Sequence, residues 1–279
     1  MDSRRFDLAA FDVDGRHVRV ALAGAVHASA NADARTVVLI HGAGHDHRVW
    51  DEVAAALAGA GLRTIAPDLP GHGGSDGSAL DDIDALADWL LALLERLEPQ
   101  PVCLAGHSMG SLIALAAAAR APVRCSQLVL VGSVAPMPVA PVLLDAARND
   151  PASAHAMINK WSFGPAETLG EERLARLAAR NLQRLQQAPA AALAADLAAC
   201  NAWTGGLDAA ATVRCPTLLV CGERDRMTPP DAAKPLFDAL QAQCGAARMM
   251  LLPGAGHAMM DEAPAALSDS IREFVAASC

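Results

Sequence analysis

Two kinds of hydrophobic pattern alternate along most of this chain. Segments of strand length that are largely apolar or β-branched recur at residues 36–40, 62–66, 101–105, 127–131, 217–220 and 248–252. Segments with apolar residues three or four positions apart, or rich in alanine, lie at residues 53–59, 82–97, 112–120 and 264–277. Continuous apolar runs are typical of strands covered on both faces, and the second pattern is typical of helices. This regular alternation predicts a parallel sheet with helices on both faces.

The beginning of the chain carries a different pattern. Apolar side chains flank the pair Asp14-Gly15 at Phe11, Val13, Val18 and Val20. Because Asp-Gly is a strong turn signal, residues 6–24 are predicted to form a β-hairpin. Residues 25–35 are small and polar, which predicts a loop. With the hairpin included, the chain is predicted to be an α/β protein with a mostly parallel, eight-stranded sheet flanked by helices.

The alternation of strands and helices stops after residue 134. No convincing strand pattern occurs between residues 135 and 211, where a proline-rich entry leads into several helical segments. We therefore expect a helical cap, residues 135–211, inserted into a core domain made of residues 1–134 and 212–279. One cap helix, at 171–187, carries a stripe of arginines that we interpret as a solvated face rather than an anion site: Arg173, Arg176, Arg180 and Arg184.

The pentapeptide Gly106-His107-Ser108-Met109-Gly110 fits the G-x-S-x-G pattern. It lies between an apolar run and an alanine-rich segment, which together predict a strand, a turn and a helix. A serine at so tight a turn is usually strained, and its hydroxyl projects from the end of the sheet. The N–H of Met109, at the start of the helix, is expected to point where an oxyanion would form, with the helix dipole favouring negative charge.

A serine hydroxyl needs a base to become a good nucleophile, and the base needs a third group that holds its tautomer. Asp225 and His257 each follow the end of a predicted strand, as Ser108 does, and catalytic groups of open α/β sheets lie beyond the carboxyl ends of the strands. The predicted catalytic triad is therefore Ser108, His257 and Asp225. The nearby Asp231 lies at a predicted helix start and is expected to be a helix cap instead.

Together these stretches resemble the α/β-hydrolase fold superfamily, in particular its capped, esterase-like serine hydrolases. The resemblance extends over nearly the whole length and rests on five segments, HGAG at 41–44, DLPGHGGS at 68–75, GHSMG at 106–110, GERDRMTP at 222–229 and GAGH at 254–257. It implies that the N–H of Ala43 is the second oxyanion donor, acting with that of Met109. The predicted cap is the part that these segments do not cover.

Composition and charge limit which binding partners and which cellular compartment we expect. The net charge of -9, without a lysine- or arginine-rich run, argues against nucleic acid and anionic membranes as partners. Neither the first residues nor any later stretch has the pattern of a secretory signal or a membrane span. Seven cysteines without C-x-x-C spacing are typical of a reducing compartment, so we expect a cytoplasmic location. The sequence leaves the oligomeric state open.

We expect neither a metal ion nor a cofactor. His45 and His47 form an H-x-H pair, but such a pair without a third ligand usually belongs to a loop. Its position next to the HGAG segment makes His45 a candidate for lining the substrate pocket.

One face of a predicted cap helix carries Leu193, Asp196, Cys200 and Trp203. Burial of a carboxylate among apolar neighbours costs free energy unless the group is paired or in contact with water, so two interpretations are open. Either Asp196 points to solvent, or this face roofs the active site. In the second case Asp196 contacts the polar end of the substrate, and Trp203 or Leu193 bounds an acyl pocket.

A triad with two N–H donors specifies acyl transfer through a tetrahedral intermediate and an acyl-enzyme. Our first hypothesis is a carboxylesterase for small to medium esters, because a cap of this size encloses a pocket. Two alternatives are open: a cofactor-free C–C bond or lactone hydrolase with the same residues, or a non-catalytic ligand receptor on the same scaffold. Haloalkane dehalogenases and epoxide hydrolases are disfavoured, because those relatives use an aspartate where this chain has Ser108.

Overall fold

The computed structural model of the chain describes residues 6–24, 35–98 and 100–277. Most of the predicted loop at 25–35 lies outside these residues. The described strands are β1 (Asp7–Val13), β2 (Arg16–Ala23), β3 (Thr36–Ile40), β4 (Arg63–Pro67), β5 (Val102–His107), β6 (Cys125–Val131), β7 (Thr217–Gly222) and β8 (Ala247–Leu252). The described α-helices are α1 (Asp51–Gly59), α2 (Ile83–Leu97), α3 (Met109–Arg120), α4 (Pro141–Asn149), α5 (Pro151–Trp161), α6 (Ala166–Leu169), α7 (Glu171–Gln187), α8 (Ala190–Ala202), α9 (Gly206–Ala210), α10 (Pro230–Cys244), α11 (Met259–Glu262) and α12 (Pro264–Ala277).

The strands of the described residues form one eight-stranded sheet in the order β1-β2-β4-β3-β5-β6-β7-β8. β2 pairs antiparallel with both β1 and β4, and the remaining pairs are parallel. The hairpin turns at Asp14 and Gly15, which have φ values of 52° and 76°, as a two-residue turn of this kind requires. The mostly parallel, eight-stranded sheet and its hairpin are thereby confirmed. Since β3 to β8 run in the same direction, their carboxyl ends meet at one edge.

Helices cover both faces of the sheet. Val38 and Ile40 of β3 join the apolar cluster that contains residues of α2, α3 and α10. Val37 and Leu39 point to the opposite cluster, with residues of α1 and α12. All five residues of β3 are buried, because side chains on alternate sides of the strand each meet a helical layer. This is the physical reason why four consecutive residues of the strand, 37–40, are apolar instead of alternating with polar ones.

Six α-helices, α4 to α9, occupy the chain between β6 and β7, and all of that stretch is described. Four of them share an apolar cluster of their own, with Leu143, Ile158, Leu185, Leu193 and Leu197 among its members. We keep the term cap for residues 135–211, and the division into a core domain and a cap stays a prediction. None of the described helices is long and apolar enough to cross a membrane.

The arginine stripe of α7 is a solvated face only in part. Arg184 donates to both carboxylate oxygens of Asp261 on α11, at 2.8 and 3.1 Å. Arg180 donates to Asp261 at 2.7 Å and to Glu52 on α1 at 3.0 Å. The interpretation is therefore wrong for these two arginines, because they join α7 to acidic residues that are distant in the sequence.

Candidate active site

Ser108 forms the turn between β5, which ends at His107, and α3, which begins at Met109. Its φ of 52° and ψ of −121° lie in a region that non-glycine residues rarely occupy. The turn is so tight that a Cβ at Gly106 would overlap the carbonyl group of Gly110. The Ser108 N–H donates to the carbonyl oxygen of Val131 at 2.9 Å, so the strained backbone is held by the neighbouring strand.

Asp225 follows β7 and His257 follows β8, and their side chains meet at the carboxyl edge of the sheet. His257 Nδ1 lies 2.8 Å from Asp225 Oδ2, and both side chains are buried. Asp225 Oδ1 accepts hydrogen bonds from the N–H groups of Met227 and Thr228, at 2.8 and 2.9 Å. Because an ionised carboxylate can only accept, Nδ1 carries the proton and Nε2 of His257 is left as the basic nitrogen.

The surroundings of Asp225 keep it ionised. Burial alone would raise its pKa, but the charge of His257 and the hydrogen bonds from His257 and Thr228 lower the pKa to about 2. Thr228 Oγ1 donates to Asp225 Oδ2 at 2.6 Å and lies 3.2 Å from His257 Nδ1. Sequence reasoning missed Thr228. The spacing Asp-x-x-Thr could have predicted it, because a hydroxyl three residues after an aspartate can donate a hydrogen bond to its carboxylate.

Asp231, the competing carboxylate, lies away from this arrangement. It is exposed in the first turn of α10, and Pro229 occupies the position before the helix. No side chain caps this helix end, so the prediction that Asp231 is the helix cap is wrong. The helix begins at Pro230, so Asp231 is its second residue and lies inside the first turn instead of at the capping position.

Ser108 and His257 both line a cavity of about 270 Å³ between the sheet edge and the cap. Most of its walls are apolar, and they include Met137, Val139, Leu143, Ile158, Leu197 and Met260. A concave, largely apolar cavity with a few convergent polar groups is typical of a small-molecule site.

The segment after β3 lies close to Ser108, since a Cβ at Gly42 would be 3.2 Å from Ser108 Cβ. The carbonyl oxygen of Gly42 accepts from His41 Nδ1 at 3.0 Å and from the N–H of His45 at 3.3 Å. In a trans peptide the carbonyl and the following N–H point in opposite directions, so these bonds fix the direction of the Ala43 N–H. That N–H has no acceptor within the part of the chain that the structure describes.

Met109 supplies the second N–H of the predicted oxyanion hole. It is the first residue of α3, where a backbone N–H has no partner within the helix. Its side chain is buried in the apolar cluster on the face of α2 and α3. The two N–H groups named from the sequence are thus both available for a ligand oxygen, and their role in an oxyanion hole stays a prediction.

The two histidines of the H-x-H pair point in different directions. His45 lines the cavity, and its Nδ1 has no hydrogen-bond partner among the described residues. Burial and the nearby charge of Arg184 lower the pKa of His45 to about 3, so the ring is neutral. His47 instead places Nδ1 2.6 Å from Asp68 Oδ1.

Asp46, His47 and Asp68 bring possible metal-ligand atoms within 4.8 Å of one another. Both carboxylate oxygens of Asp46 already accept from the guanidinium of Arg48, at 2.6 to 3.1 Å. Asp68 accepts through Oδ1 from His47 and through Oδ2 from the N–H of Gly74. A metal ion at this position would have to displace the Arg48 guanidinium from Asp46, and His47 and the Gly74 N–H from Asp68.

A family model described as "Alpha/beta hydrolase family" matches residues 37–270 of the chain. The chain belongs to the alpha/beta hydrolase family. The hydrolase is 31% identical over 240 residues to the pimeloyl-[acyl-carrier protein] methyl ester esterase of Aromatoleum aromaticum, a match covering 80% of this chain and 90% of that protein. Over 99 residues it is 46% identical to the dihydrolipoyllysine-residue acetyltransferase component of the acetoin cleaving system of Pseudomonas putida. That match covers 35% of this chain, and the chain spans about a quarter of that relative's length (26%).

A solved structure has the same fold as the hydrolase. The crystal structure of the enol-lactonase from Burkholderia xenovorans LB400 superposes with a TM-score of 0.84 at 22% identity, covering 96% of this chain and 100% of that one. A likeness at this level of identity establishes the fold, and it says nothing about the substrate.

The substrate contacts expected from Asp196 and Trp203 need correction, because neither side chain belongs to the cavity lining of the hydrolase. Trp203 packs in the main apolar cluster and donates through Nε1 to Asp84 Oδ1 at 3.0 Å. Asp196 is 1% exposed, which also excludes the interpretation that it points to solvent. The face of α8 that lines the cavity carries Leu197 and Cys200 instead.

Sequence reasoning also missed Glu262, a buried carboxylate of α11. Its Oε2 accepts from the N–H of Gly164 in the cap at 2.8 Å and from the N–H of Gly256 at 3.0 Å. Gly256 directly precedes His257, so Glu262 ties the histidine segment of the hydrolase to the cap. The only signal in the sequence was an acidic residue five positions after the histidine, which by itself does not predict a contact.

Proposed function

We propose that this hydrolase cleaves carboxylic esters through an acyl-enzyme, with Ser108 as the nucleophile, His257 as the base and Asp225 as the group that orients His257. One observation carries the proposal. The His257–Asp225 hydrogen bond of 2.8 Å lies at the wall of a cavity that the strained Ser108 also lines. A nucleophile, a base of defined tautomer and an orienting carboxylate are the parts that acyl transfer by a serine requires.

In the first half-reaction, Ser108 Oγ attacks the carbonyl carbon of the ester while His257 Nε2 takes the hydroxyl proton. The π electrons of the carbonyl move to its oxygen, and this oxyanion accepts from the N–H groups of Ala43 and Met109. Collapse of the tetrahedral intermediate breaks the bond to the alcohol oxygen, which leaves with the proton from His257. Water then attacks the acyl-enzyme in the same way, releasing the carboxylic acid and restoring Ser108.

The cavity supports a small or medium substrate. Its volume is about 270 Å³ and its lining is mostly apolar, so a short aliphatic acyl or alcohol group would be removed from water there. The name of the Aromatoleum aromaticum relative, a methyl ester esterase, supports ester cleavage as the reaction class. A small-molecule ester is therefore the substrate class that we propose.

The test is hydrolysis of p-nitrophenyl esters from acetate to octanoate, with an aliphatic lactone as a second substrate class. We expect turnover on the short esters and a loss of about 10⁴- to 10⁶-fold in kcat for Ser108→Ala. Ser126→Ala, at an exposed position of β6, is the matched serine control and should keep the wild-type rate. Wild-type turnover by a folded Ser108→Ala protein would overturn the proposal. Turnover of neither substrate class by the wild-type protein would favour a ligand receptor.

A further inference from the structure

Asp196, on cap helix α8, contacts two turns of the core domain that are far from it in the sequence. Its Oδ2 accepts a hydrogen bond from the N–H of Gly44 at 2.8 Å. The same oxygen lies 2.9 Å from His72 Nε2. Asp196 and His72 are each 1% exposed, so this contact between the cap and the sheet domain is fully buried.

The partners of His72 define the charge of the pair. Nδ1 of His72 lies 3.0 Å from the carbonyl oxygen of Pro70, and Nε2 faces the carboxylate of Asp196. The carbonyl oxygen of Pro70 only accepts, and so does an ionised carboxylate at Asp196, so this pair of partners favours a proton on each ring nitrogen, which is the imidazolium form. Burial would lower the pKa of His72, but the charge of Asp196 and the hydrogen bonds to Asp196 and Pro70 outweigh it and raise the pKa. Asp196 is thus the buried counter-ion of His72.

Ala43 lies between two peptide groups that are each anchored. The peptide before it is held at the Gly42 carbonyl oxygen by His41 and His45, and the peptide after it is held at the Gly44 N–H by Asp196. The φ and ψ of a residue set the angle between its two flanking peptide planes. Anchoring both planes therefore fixes the backbone of Ala43, and with it the direction of the Ala43 N–H.

We infer that Asp196 is a positioning residue that holds the oxyanion loop, residues 42–45, in its active geometry. The inference rests on the proposed function, because it assigns to the Ala43 N–H the role of oxyanion donor. It also gives the cap a second role. Besides enclosing the cavity, the cap supplies a buried carboxylate on which one half of the oxyanion hole is built.

Removal of the Asp196 carboxylate should act on the transition state more than on substrate binding. The Gly44 N–H and His72 Nε2 would both lose their acceptor, and the loop would rotate to satisfy them elsewhere. An oxyanion donor engages the tetrahedral intermediate more strongly than the ground-state carbonyl, and its loss lowers kcat by roughly 10²- to 10³-fold. For a displaced rather than a deleted donor we expect a kcat loss of about 10- to 100-fold with little change in KM.

The experiment compares three variants with p-nitrophenyl butyrate as substrate and thermal unfolding as the folding check. Asp196→Ala should show the loss in kcat with KM within about 3-fold of wild type. Asp196→Asn keeps an oxygen that can accept from the Gly44 N–H, so its kcat should recover to within about 5-fold of wild type. Asp84→Ala removes the acceptor of Trp203, the residue after the end of α8, together with the ion pair to Arg120, and should leave both constants unchanged.

A second readout separates positioning from general loosening. A trifluoromethyl ketone that adds to Ser108 mimics the tetrahedral intermediate, so its inhibition constant should rise in Asp196→Ala by the same factor as kcat falls. Three results would overturn the inference: a kcat within 2-fold of wild type in folded Asp196→Ala, an effect on KM alone, or an equal loss in Asp84→Ala. Any of them leaves the proposed function intact, whereas an active Ser108→Ala protein would remove the function itself.

If Asp196→Ala does not fold, Gly44→Ala tests the same peptide from the other side. Gly44 has a φ of 68°, and a Cβ there would lie 3.0 Å from Leu193 Cδ1 on α8. Because alanine is strained at this φ and its methyl group would press on Leu193, we expect the backbone to shift and to move the Gly44 N–H away from Asp196 without any change of charge. We expect the same loss in kcat at constant KM, and a wild-type kcat in this variant would overturn the inference.

Discussion

The imidazole of His107 donates a hydrogen bond to the backbone carbonyl oxygen of His257, with 2.9 Å between Nε2 and that oxygen. The two rings lie 4.6 Å apart between their centres. Since a carbonyl oxygen only accepts, the proton of His107 is on Nε2, and its Nδ1 has no partner among the described residues. Burial and the charge of His257 keep the pKa of His107 well below its usual range. His107 is therefore a neutral anchor for the backbone of the proposed base.

Replacement of this anchor should lower the rate without weakening substrate binding. In His107→Ala we expect kcat to fall by about 10-fold at constant KM, because the His257 backbone loses its donor and Nε2 shifts relative to Ser108. His107→Gln retains an N–H donor of similar reach and should recover part of the rate. Steady-state kinetics with p-nitrophenyl butyrate measures both variants. A wild-type kcat in His107→Ala would contradict the anchoring role.

Asp225→Asn should abolish most activity by reversing the tautomer of His257. The two backbone N–H groups at Asp225 Oδ1 require an oxygen at that position, so the amide NH₂ of asparagine must face His257 Nδ1. Nδ1 then becomes the acceptor, the proton moves to Nε2, and Nε2 no longer takes a proton from Ser108. We expect a loss of about 10⁴-fold in kcat, the order found for this change in other triads.

Asp231→Asn is the matched control for that experiment. Asp231 lies six residues after Asp225, is exposed, and makes no helix-capping bond. Its kcat should equal that of the wild-type protein. If Asp231→Asn were the damaging change and Asp225→Asn harmless, the assignment of the orienting carboxylate would be wrong.

The His72–Asp196 pair should lower the free energy of unfolding as the pH rises above neutrality. The folded pKa of His72 is raised, so the stabilisation is fully present below the unfolded histidine pKa of about 6.5 and is lost as the pH rises through the folded value. Asp196 from α8 and Asp68 from the turn after β4 both favour the charged ring, and the neighbouring His41 is neutral with a pKa of about 4.

Denaturant unfolding of wild type and Asp196→Asn measures this contribution. At about pH 6 we expect the variant to be less stable by roughly 3 kcal/mol, because a buried cation loses its partner. The difference should shrink as the pH rises through the raised pKa of His72, where the wild-type ring releases its proton. His17→Gln, at an exposed position of β2, serves as the histidine control. A difference that stays constant over this range would contradict a charged His72.

Leu197→Trp should shorten the acyl chains that the enzyme accepts. Leu197 is one of the two residues of α8 that line the cavity, and a larger side chain there fills space that a long chain needs. We expect kcat/KM for p-nitrophenyl octanoate to fall by about 10-fold or more, and that for the acetate to stay within about 3-fold of wild type. Leu207→Trp, on the exposed side of α9, is the matched control. Equal losses on both esters would place the acyl chain elsewhere.

The sequence by itself determined the elements of the sheet and the order of the site segments along the chain. Apolar runs and the Asp14-Gly15 turn are local signals, and the predicted strands agree with the structure to within a few residues. The predicted helix at 171–187 has the bounds that the structure gives α7, Glu171–Gln187. Ser108, Asp225 and His257 could be grouped because parallel strands bring their carboxyl ends to one edge, which is a property of the topology and not of any single segment.

Only the tertiary structure decided what each side chain contacts. The periodicity of α8 places Asp196 and Cys200 on one face, but the crossing of the helix over the sheet domain turns Cys200 to the cavity and Asp196 to Gly44 and His72. The arginines of α7 likewise meet Asp261, 77 and 81 residues away. Such contacts depend on how rigid elements pack across long loops of chain. A local sequence pattern shows which side of a helix is apolar. It does not predict which distant residues the polar atoms of that helix will contact.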